Sequence, residues 1–591
     1  MSAQAATQTF LGPFRVPPAL IGILALVRLL PKVHLPRTII LTVVVLVNMI
    51  LPIGLTIVTG LLIGSIPAAV EGGLESPAAR RTLTLLAVVS VGFVVQRILG
   101  PAQNVLGLAL GRYLDLYLQE IVIQAVGRPH GIAHLEDPAN LEDPANLDQI
   151  QAAQGVGMTY YRPKQAVRAL ASLIPVWFVA IGSALLLIPF HWGLTLVMLL
   201  LWAFISYVSQ KEFVRAADVA LGQSAAVRRS EYFRNLALTP EPAKEIRIWG
   251  LRNWLVGHFD TEFHRAMVPL WHERRMGRPI VWLLTLAYIV VSFGALALLA
   301  WAATQGSIGL AALAIYAQAV LGSVSLNISG QNLSLAYAAV SLLPVLELEQ
   351  RFTDQGQRGT GKRPAPGSPR DGIECRDLTF RYPGQTIDVL AGLDLSIPAG
   401  QSLAIVGANG AGKTTLIKLL CRLYDPSAGS IVVDGTDLQD IDADAWQQQV
   451  AAIFQDFVQY PFSAGENIGL GAPNARDDRE ALAEAARKAG ALELIEALPH
   501  GWDTILSRQY TDGTDLSGGQ WQRVALARAL FAVESGARLL ILDEPTANLD
   551  VRAEAALYDR FLEITAGLTT IIISRSPAVG VLGWQRSCPP A

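Results

Sequence analysis

The chain has 591 residues, of which 52% are hydrophobic and 16% charged, with a formal net charge of −3. This length exceeds a single domain of roughly 100–200 residues, and the charged fraction lies below the ~25% that soluble proteins carry. A mean hydropathy of +0.38 therefore favours a membrane protein. The near-neutral charge gives no indication of a nucleic-acid partner. The three cysteines fall in the C-terminal half, and we expect no disulfide framework.

Residues 1–37 precede the first long apolar run. Their apolar stretch, Ala19 to Leu30, contains Arg28 and lacks a clear small-residue cleavage site. A cleaved signal peptide is therefore not expected. We predict instead an N-terminal cytoplasmic elbow segment.

Residues 38–350 are dominated by long uncharged runs, each long enough for one or two crossings of about 20 residues. Buried helices of a soluble core are the alternative, but runs of this length exceed what soluble cores use. We predict a transmembrane domain of six helices. The spans are residues 38–66, 82–110, 169–189, 192–210, 279–303 and 307–330.

Basic residues predict the orientation. Twelve Lys and Arg fall within 211–278, whereas the turns near 191 and 305 carry none. Since basic loops stay inside, this segment and the C-terminal half are placed in the cytoplasm. Arg80 and Arg81 in the first outer turn depart mildly from the rule. The Ala-, Gly- and Arg-rich composition favours a bacterial plasma (inner) membrane.

The two inner segments, 112–168 and 211–278, are too long for turns and are predicted to extend the membrane helices into the cytoplasm. The first contains an exact tandem repeat, Leu-Glu-Asp-Pro-Ala-Asn at 135–140 and again at 141–146. It is either a docking element or a neutral duplication in a helix-entry loop, and the second interpretation is preferred.

Residues 351–371 are rich in Gly, Pro and charge, which is typical of a flexible linker. From residue 372 the pattern becomes that of an α/β domain. Its clearest motif runs from Gly407 to Thr414 and fits G-x-x-x-x-G-K-[ST], between an apolar strand and an apolar helix. This motif predicts a phosphate cradle of backbone N–H groups. The expected nucleotide ligands are Gly407, Asn409, Gly410, Gly412, Lys413, Thr414 and Thr415.

Within the motif, Lys413 is expected to contact the β and γ phosphates and Thr414 to bind Mg²⁺. A second apolar strand, starting at Arg538, ends in Asp543 and Glu544. Asp543 is the second predicted metal ligand, and Glu544 would orient or deprotonate the attacking water. A merely solvated strand end is the alternative for this acidic pair.

A third motif, Leu-Ser-Gly-Gly-Gln at 516–520, is followed by an amphipathic helix. It resembles the signature of ABC ATPases, and the three motifs occur in the order of that family. The resemblance covers essentially the whole chain and implies a half-transporter of the exporter type. Two such halves would pair, their two ATPase domains would enclose two ATP molecules, and each signature would contact the γ-phosphate held by the opposite subunit. The signature residues implied are Ser517, Gly518, Gly519 and Gln520.

The resemblance implies further roles. Tyr382 matches the aromatic that stacks on adenine, with an ordinary strand-end aromatic as the alternative. Gln455 matches the glutamine that senses Mg²⁺ and contacts the membrane domain. Residues 547–550 resemble the loop that communicates across the dimer, and residues 242–249 lie where the family has its second coupling helix. The implied fold is multidomain: an all-α six-helix transmembrane domain, then an α/β P-loop ABC ATPase domain at 372–591 that uses ATP and Mg²⁺.

The C-terminal end departs from the family. A histidine is expected after the strand ending at Ser574, but Arg575 follows, and residues 501–591 contain no histidine. The final strands and helices are also not recognisable, so this end is interpreted as truncated or divergent. Three explanations stay open: a degenerate half with weak hydrolysis, a frameshifted product, or a guanidinium at Arg575 that replaces the histidine.

The predicted function is ATP-driven export of a lipophilic compound or peptide by a dimer of half-transporters. Alternatives are a degenerate subunit of a heterodimer, an exporter-like importer, for example of siderophores, and an ABC ATPase that regulates or assembles without transport. The sequence gives weak indications of substrate. Arg97 is the one candidate intramembrane charge, and Trp521 after the signature resembles some peptide-antibiotic exporters.

Overall fold

A computed structural model of the chain describes residues 18–136, 163–222, 224–274, 279–323, 335, 342, 345–350, 352, 367–408, 410–544, 564–574 and 585–586. The chain forms two compact units. The first comprises residues 1–126 and 144–351, and the second comprises 127–143 and 352–591. The domain boundaries given above stay a prediction.

The described part of the first unit is helical. Its helices are α1 (Pro18–Gly72), α2 (Pro77–Gly127), α4 (Pro163–Leu185), α5 (Trp192–Gly222), α6 (Ser224–Leu238), α7 (Ala243–Ile248), α8 (Arg252–Arg274), α9 (Pro279–Thr304) and α10 (Leu310–Ser323). Helix α3 (Ala133–Glu136) belongs to the second unit. Helices α2 and α5 continue well beyond their predicted spans, as expected for helices that extend out of a membrane.

Helix α1 differs from the prediction because it begins at Pro18, inside the segment assigned to an N-terminal elbow. It is interrupted at His34, where φ is −161° and ψ is 90°. Pro31 and Pro36 flank this position, and proline removes a backbone donor and bends a helix. The elbow is therefore a proline-bent helical extension of the first span.

Five helices among the described residues are long and apolar enough to cross a membrane. They lie at Ile21–Gly72, Pro77–Gly127, Gln165–Leu185, Trp192–Ser209 and Trp282–Thr304, in the regions of the first five predicted spans. The sixth prediction, 307–330, is only partly described. Its described part is the shorter apolar helix Leu310–Ser323. The described residues therefore contain five membrane-crossing helices and do not reproduce the predicted six.

Small residues allow α1 and α10 to approach closely. A Cβ atom added at Gly64 would lie 2.4 Å from the Cβ and 3.0 Å from the Cα of Ala311, and one added at Gly60 would lie 2.2 Å from Cγ1 of Ile315. Glycines spaced by four on an apolar helix let two backbones meet where the hydrophobic effect cannot drive association. This contact joins the first helix of the unit to the last one described.

The described part of the second unit contains two sheets. An antiparallel sheet has the order β2 (Leu390–Pro398), β1 (Gly372–Phe380), β4 (Ala428–Val433), β5 (Thr436–Asp437). A parallel sheet has the order β6 (Val450–Ile453), β7 (Leu539–Asp543), β8 (Thr569–Ser574), β3 (Ser402–Val406), β9 (Gln585–Arg586). Strands β7 and β8 are buried along their whole length, as continuous apolar strands of a covered parallel sheet should be.

Further helices of the second unit are α11 (Lys413–Leu420), α12 (Ala443–Gln447), α13 (Ala464–Gly469), α14 (Arg479–Lys488), α15 (Leu492–Glu496) and α16 (Gly518–Glu534). Helix α16 packs on β6 and β7 of the parallel sheet, and α13 and α14 pack on α16. Because the strands are parallel, the carboxyl ends of β3, β6 and β7 lie at one edge. That edge is where ligands bind in open α/β sheets.

The C-terminal segment contains one strand that the sequence did not predict. β9, at Gln585–Arg586, pairs in parallel with β3 through Leu403 and Ala404. The interpretation of this end as truncated or divergent stays a prediction. Two residues can pair through backbone hydrogen bonds alone, so they leave no apolar pattern to recognise.

The α1–α10 contact predicts an effect of one added methyl group. Gly64→Ala should lower the thermal unfolding midpoint in detergent, because overpacking a close backbone contact costs about 1–3 kcal/mol. Gly54→Ala is the matched control on the same helix, since a Cβ there would meet nothing within 4 Å. Equal midpoints for the two variants would contradict the packing described here.

Candidate nucleotide-binding site

The loop between β3 and α11 has the backbone that the glycine-rich motif predicts. Gly412 precedes the first residue of α11 with φ 80° and ψ 9°, a left-handed conformation, and Gly410 has φ 81°. A Cβ at Gly412 would lie 2.7 Å from Cδ2 of Leu390 and 3.0 Å from the carbonyl oxygen of Val389. Both the conformation and the space therefore require glycine at 412. The loop delivers backbone N–H groups to the N-terminus of α11, where anions are favoured.

Lys413 folds back over this loop. Its Nζ donates to the carbonyl oxygens of Gly407 at 2.7 Å and Ala408 at 2.9 Å. The ammonium group is thus held at the loop, where it can contact phosphate oxygens as a point charge. Asn409 lies outside the described residues, so its predicted role stays a prediction.

Thr414 and Asp543 meet although they are far apart in the sequence. Thr414 Oγ1 donates to Asp543 Oδ2 at 2.9 Å, and Asp543 is 2% exposed. Burial raises the pKa of the Asp543 carboxyl, and the charges of Glu544 and Asp456 act in the same direction, while the Thr414 hydrogen bond and Lys413 oppose them. Because the charged form of this carboxyl is disfavoured, a nearby cation would stabilise it.

These donors fit Mg²⁺, which takes hard oxygen ligands and is usually held by one or two carboxylates together with substrate phosphates. Among the described residues, no group of three or more His, Cys, Asp or Glu side chains could hold a metal. A site made of Thr414, Asp543 and nucleotide oxygens agrees with both observations.

Glu544 and Gln455 lie at the same edge of the parallel sheet. Glu544 follows β7 with φ 49°, and its N–H donates to the carbonyl oxygen of Ile573 at 3.1 Å. Gln455 follows β6, whose last residue Ile453 pairs with Leu542 of β7. The neighbouring Asp456, which the sequence analysis missed, is close enough to act on the Asp543 carboxyl. An acid directly after Gln455 at a strand end was the available signal.

Tyr382 lies beside the P-loop helix. It follows the end of β1, is half-buried, and its Oη lies 3.1 Å from Oγ1 of Thr415. The structure thus brings the predicted adenine aromatic onto the helix that carries the predicted phosphate ligands. Stacking on adenine itself stays a prediction.

The signature residues form the start of α16. Ser517 is the residue before the helix, and its N–H donates to Oε1 of Gln520 at 2.8 Å. Ser517 and Gly518 are exposed, which suits contact with a ligand held elsewhere. Trp521, the next residue, is 3% exposed and packs in the core of the helical part.

Three predicted elements cannot be placed. Residues 547–550 and Arg575 lie outside the described residues, and only the first two residues of the tandem repeat lie inside them. The predicted second coupling helix is described as α7, where Ile248 is 79% exposed and Trp249 is 65% exposed. Its docking stays a prediction.

Comparison with known proteins gives relatives of one kind. Residues 390–547 match the family described as ABC transporter. The ATP-dependent lipid A-core flippase of Yersinia pestis bv. Antiqua is 30% identical over 419 residues, which cover 69% of this chain and 68% of that protein. The subtilin transport ATP-binding protein SpaT of Bacillus subtilis is 27% identical over 422 residues, covering 70% and 67%.

Shorter and structural matches agree with these. The lipid A-core flippase of Chromohalobacter salexigens is 40% identical over 202 residues, and the matched region spans about a third (34%) of either chain. A solved structure of a bacterial Atm1-family ABC exporter with ATP bound has a TM-score of 0.71 at 20% identity, covering 92% of this chain and 91% of that one. At this identity the structural match shows the fold alone.

The buried carboxyl predicts a pH-dependent stability. The pKa of Asp543 is raised in the folded state, so the protonated carboxyl contributes stability at a pH below the ordinary aspartate pKa of about 4. This contribution is lost as the pH rises through the folded-state pKa. Asp543→Asn can still accept the Thr414 hydrogen bond but carries no charge. At pH 7 without Mg²⁺ we expect its unfolding midpoint to exceed that of the wild type by about 2–4 °C.

The same variant should lose the further stabilisation that Mg·ATP gives the wild type. Both effects are measured by differential scanning fluorimetry of the full chain, with and without Mg²⁺ and ATP. A lower midpoint of Asp543→Asn without Mg²⁺ would contradict the account of Asp543 as a destabilising buried charge.

Proposed function

Because the chain belongs to the ABC transporter family, as a half-transporter of the exporter type, we propose that it binds and hydrolyses ATP to move a lipophilic compound or peptide across a membrane. The observation that carries this proposal is the contact of Thr414 with Asp543 at 2.9 Å. It joins the P-loop to the acidic strand end in a chain that also has five helices able to cross a membrane among its described residues.

The proposed hydrolysis assigns one task to each group. The P-loop amides and Lys413 hold the phosphate chain and its charge. Thr414 and Asp543 would hold Mg²⁺, which would supply charge neutralisation at the phosphate oxygens. Glu544 orients or deprotonates the attacking water, and Gln455 contacts the metal side of the site from the end of β6.

A second copy or partner half completes the site. Ser517 and Gly518 are exposed at the N-terminus of α16, and a helix N-terminus with free amides favours an anion. We propose that this motif contacts the γ-phosphate held by the other half, so that ATP closes the two ATPase domains on each other. The work done on the membrane helices then comes from tighter binding of ATP to the closed state.

The cargo is proposed from chemistry and from the printed names of the relatives. A flippase for lipid A-core and a transport protein for subtilin are among the proteins to which this chain is similar. An amphiphilic lipid or a peptide is a cargo that the apolar helices could accommodate. The described helices α1, α2 and α9 expose many large apolar side chains, among them Ile50, Val91 and Phe293, which suits contact with lipid.

The absent histidine supports one alternative. No histidine occurs after His500 in the sequence, so the family residue that would assist the attacking water has no counterpart after Ser574. A heterodimer, in which this chain supplies its signature motif to a partner's site, therefore competes with a homodimer. Import of a siderophore and a role without transport are further outcomes of the tests below.

ATP turnover of the purified chain in lipid discs distinguishes the homodimer from the heterodimer. For a homodimer we expect Mg²⁺-dependent turnover that falls about 100-fold or more in Glu544→Gln, because a positioned carboxylate contributes at least this factor to proton transfer. Glu496→Gln makes the same chemical change at an exposed position of α15 and should leave turnover unchanged. Bound ATP without turnover in the wild type would contradict the homodimer and favour a partner half.

Cargo movement is tested in sealed proteoliposomes. With ATP on the outside, where inverted transporters expose their ATPase domains, we expect uptake of a fluorescent lipopeptide into the vesicles and none with Glu544→Gln. ATP-dependent release of preloaded cargo from the same inverted transporters would instead show import.

A further inference from the structure

A short segment after α2 is bound to the ATPase unit. Residues 128–136 follow α2 directly in the chain but belong by their contacts to the second unit, which begins at Gly127. The N–H of Ile132 donates to the carbonyl oxygen of Leu423 at 3.0 Å. Gln447 Nε2 donates to the carbonyl oxygen of His130 at 3.1 Å, and His130 Nδ1 lies 3.1 Å from Oδ1 of Asp444. The segment is therefore fixed by both backbone and side-chain contacts.

Glu136, at the end of α3, makes the strongest polar contacts of this segment. Its carboxylate accepts from Lys418 Nζ at 2.9 and 3.1 Å and from Tyr424 Oη at 2.6 Å. Partial burial works to raise the pKa of the Glu136 carboxyl, but the hydrogen bonds of Tyr424 and Lys418 hold it below its ordinary value. Glu136 is therefore an ionised partner of both residues at neutral pH.

Lys418 and Tyr424, the two partners of Glu136, both lie close to Tyr382, the predicted adenine aromatic. The rings of Tyr424 and Tyr382 meet edge to face, with centroids 5.4 Å apart and an angle of 85°. Phe380 packs edge to face on Tyr382 at 4.9 Å and also contacts Tyr424, at 5.4 Å. Lys418 Nζ lies 5.7 Å from the centroid of Tyr382 and 5.8 Å from that of Tyr424. One ammonium group, that of Lys418, and two rings, those of Phe380 and Tyr424, thus determine the position of Tyr382.

Lys418 also links this cluster to the phosphate side. It lies on α11, the helix that begins at Lys413, and Thr415 on the same helix is 3.1 Å from Oη of Tyr382. Loss of the Glu136 carboxylate would remove the ion pair with Lys418 and the 2.6 Å hydrogen bond from Tyr424 Oη. Their positions against Tyr382 would then no longer be fixed by the segment after α2.

We propose that Glu136 is a positioning residue for the adenine base, which holds Tyr382 in its stacking position through Lys418 and Tyr424. This inference rests on the proposed ATP binding and on the predicted stacking of Tyr382. Residues 128–136 would thereby affect nucleotide affinity directly. Leu135 and Glu136 open the first copy of the tandem repeat, and the interpretation of the second copy as a neutral duplication stays a prediction.

Binding of ATP to the full chain in lipid discs tests the proposal. Glu136→Gln keeps the size of the side chain and removes its charge, and we expect ATP to bind roughly 3- to 10-fold more weakly, the range of one aromatic contact. Glu120→Gln, an exposed glutamate on α2, is the matched control and should leave affinity unchanged. Tyr424→Phe keeps the ring, loses the hydroxyl and should weaken ATP in the same direction by less.

A double-mutant cycle separates positioning from a general structural effect. In a Tyr382→Ala background, Glu136→Gln should weaken ATP no further, because the aromatic on which it acts is gone. An equal loss of affinity with and without Tyr382 would overturn the proposal, as would an unchanged affinity of Glu136→Gln. Absence of ATP binding by the wild type would instead contradict the proposed function.

The repeat supplies a further control. Since the two hexapeptides are identical, deletion of either copy gives the same chain, in which Leu-Glu still follows His134. We expect this deletion variant to bind ATP within about twofold of the wild type, because the carboxylate is kept. A loss as large as that of Glu136→Gln would show that the length of the segment, and not the charge of Glu136, sets the affinity.

Discussion

The hydrogen bond from Thr414 to Asp543 holds the first turn of the P-loop helix against the end of β7, with β8 between their two strands. Lys413 and Glu544 are the immediate neighbours of these two residues, so their positions depend on the same contact. The buried carboxylate is unfavourable alone and becomes favourable beside a cation. Binding of Mg²⁺ with a nucleotide, as proposed, would relieve this cost.

Motifs of fixed spacing made much of this site predictable. The glycine-rich loop, the strand ending in Asp543 and the signature before α16 are each local, so a sequence carries their backbone requirements directly. Glu136 could not be found in this way, because Lys418 lies 282 positions away and nothing local marks the pair. Asp456 had a signal beside Gln455, but a single exposed acid at a strand end is common.

In the helical unit the sequence predicted the spans better than their ends. Apolar length shows where a helix can cross a bilayer, but not that α1 starts at Pro18 and bends at His34. The ends depend on capping and on packing against neighbours. The sequence likewise shows Gly60 and Gly64 only as two glycines four residues apart. Their close approach to α10 depends on a partner helix that is distant in the sequence.

The strand order has a consequence for biosynthesis. The P-loop strand β3 pairs only with β8 and β9 among the described strands, and both follow it by most of the length of the ATPase unit. On the ribosome, β3 stays without its sheet partners until residue 574 has emerged. At 5–20 residues per second this interval is on the order of 10 s. During that time the antiparallel sheet of β1, β2 and β4, whose last residue is Val433, already has all of its strands and can form before the parallel sheet.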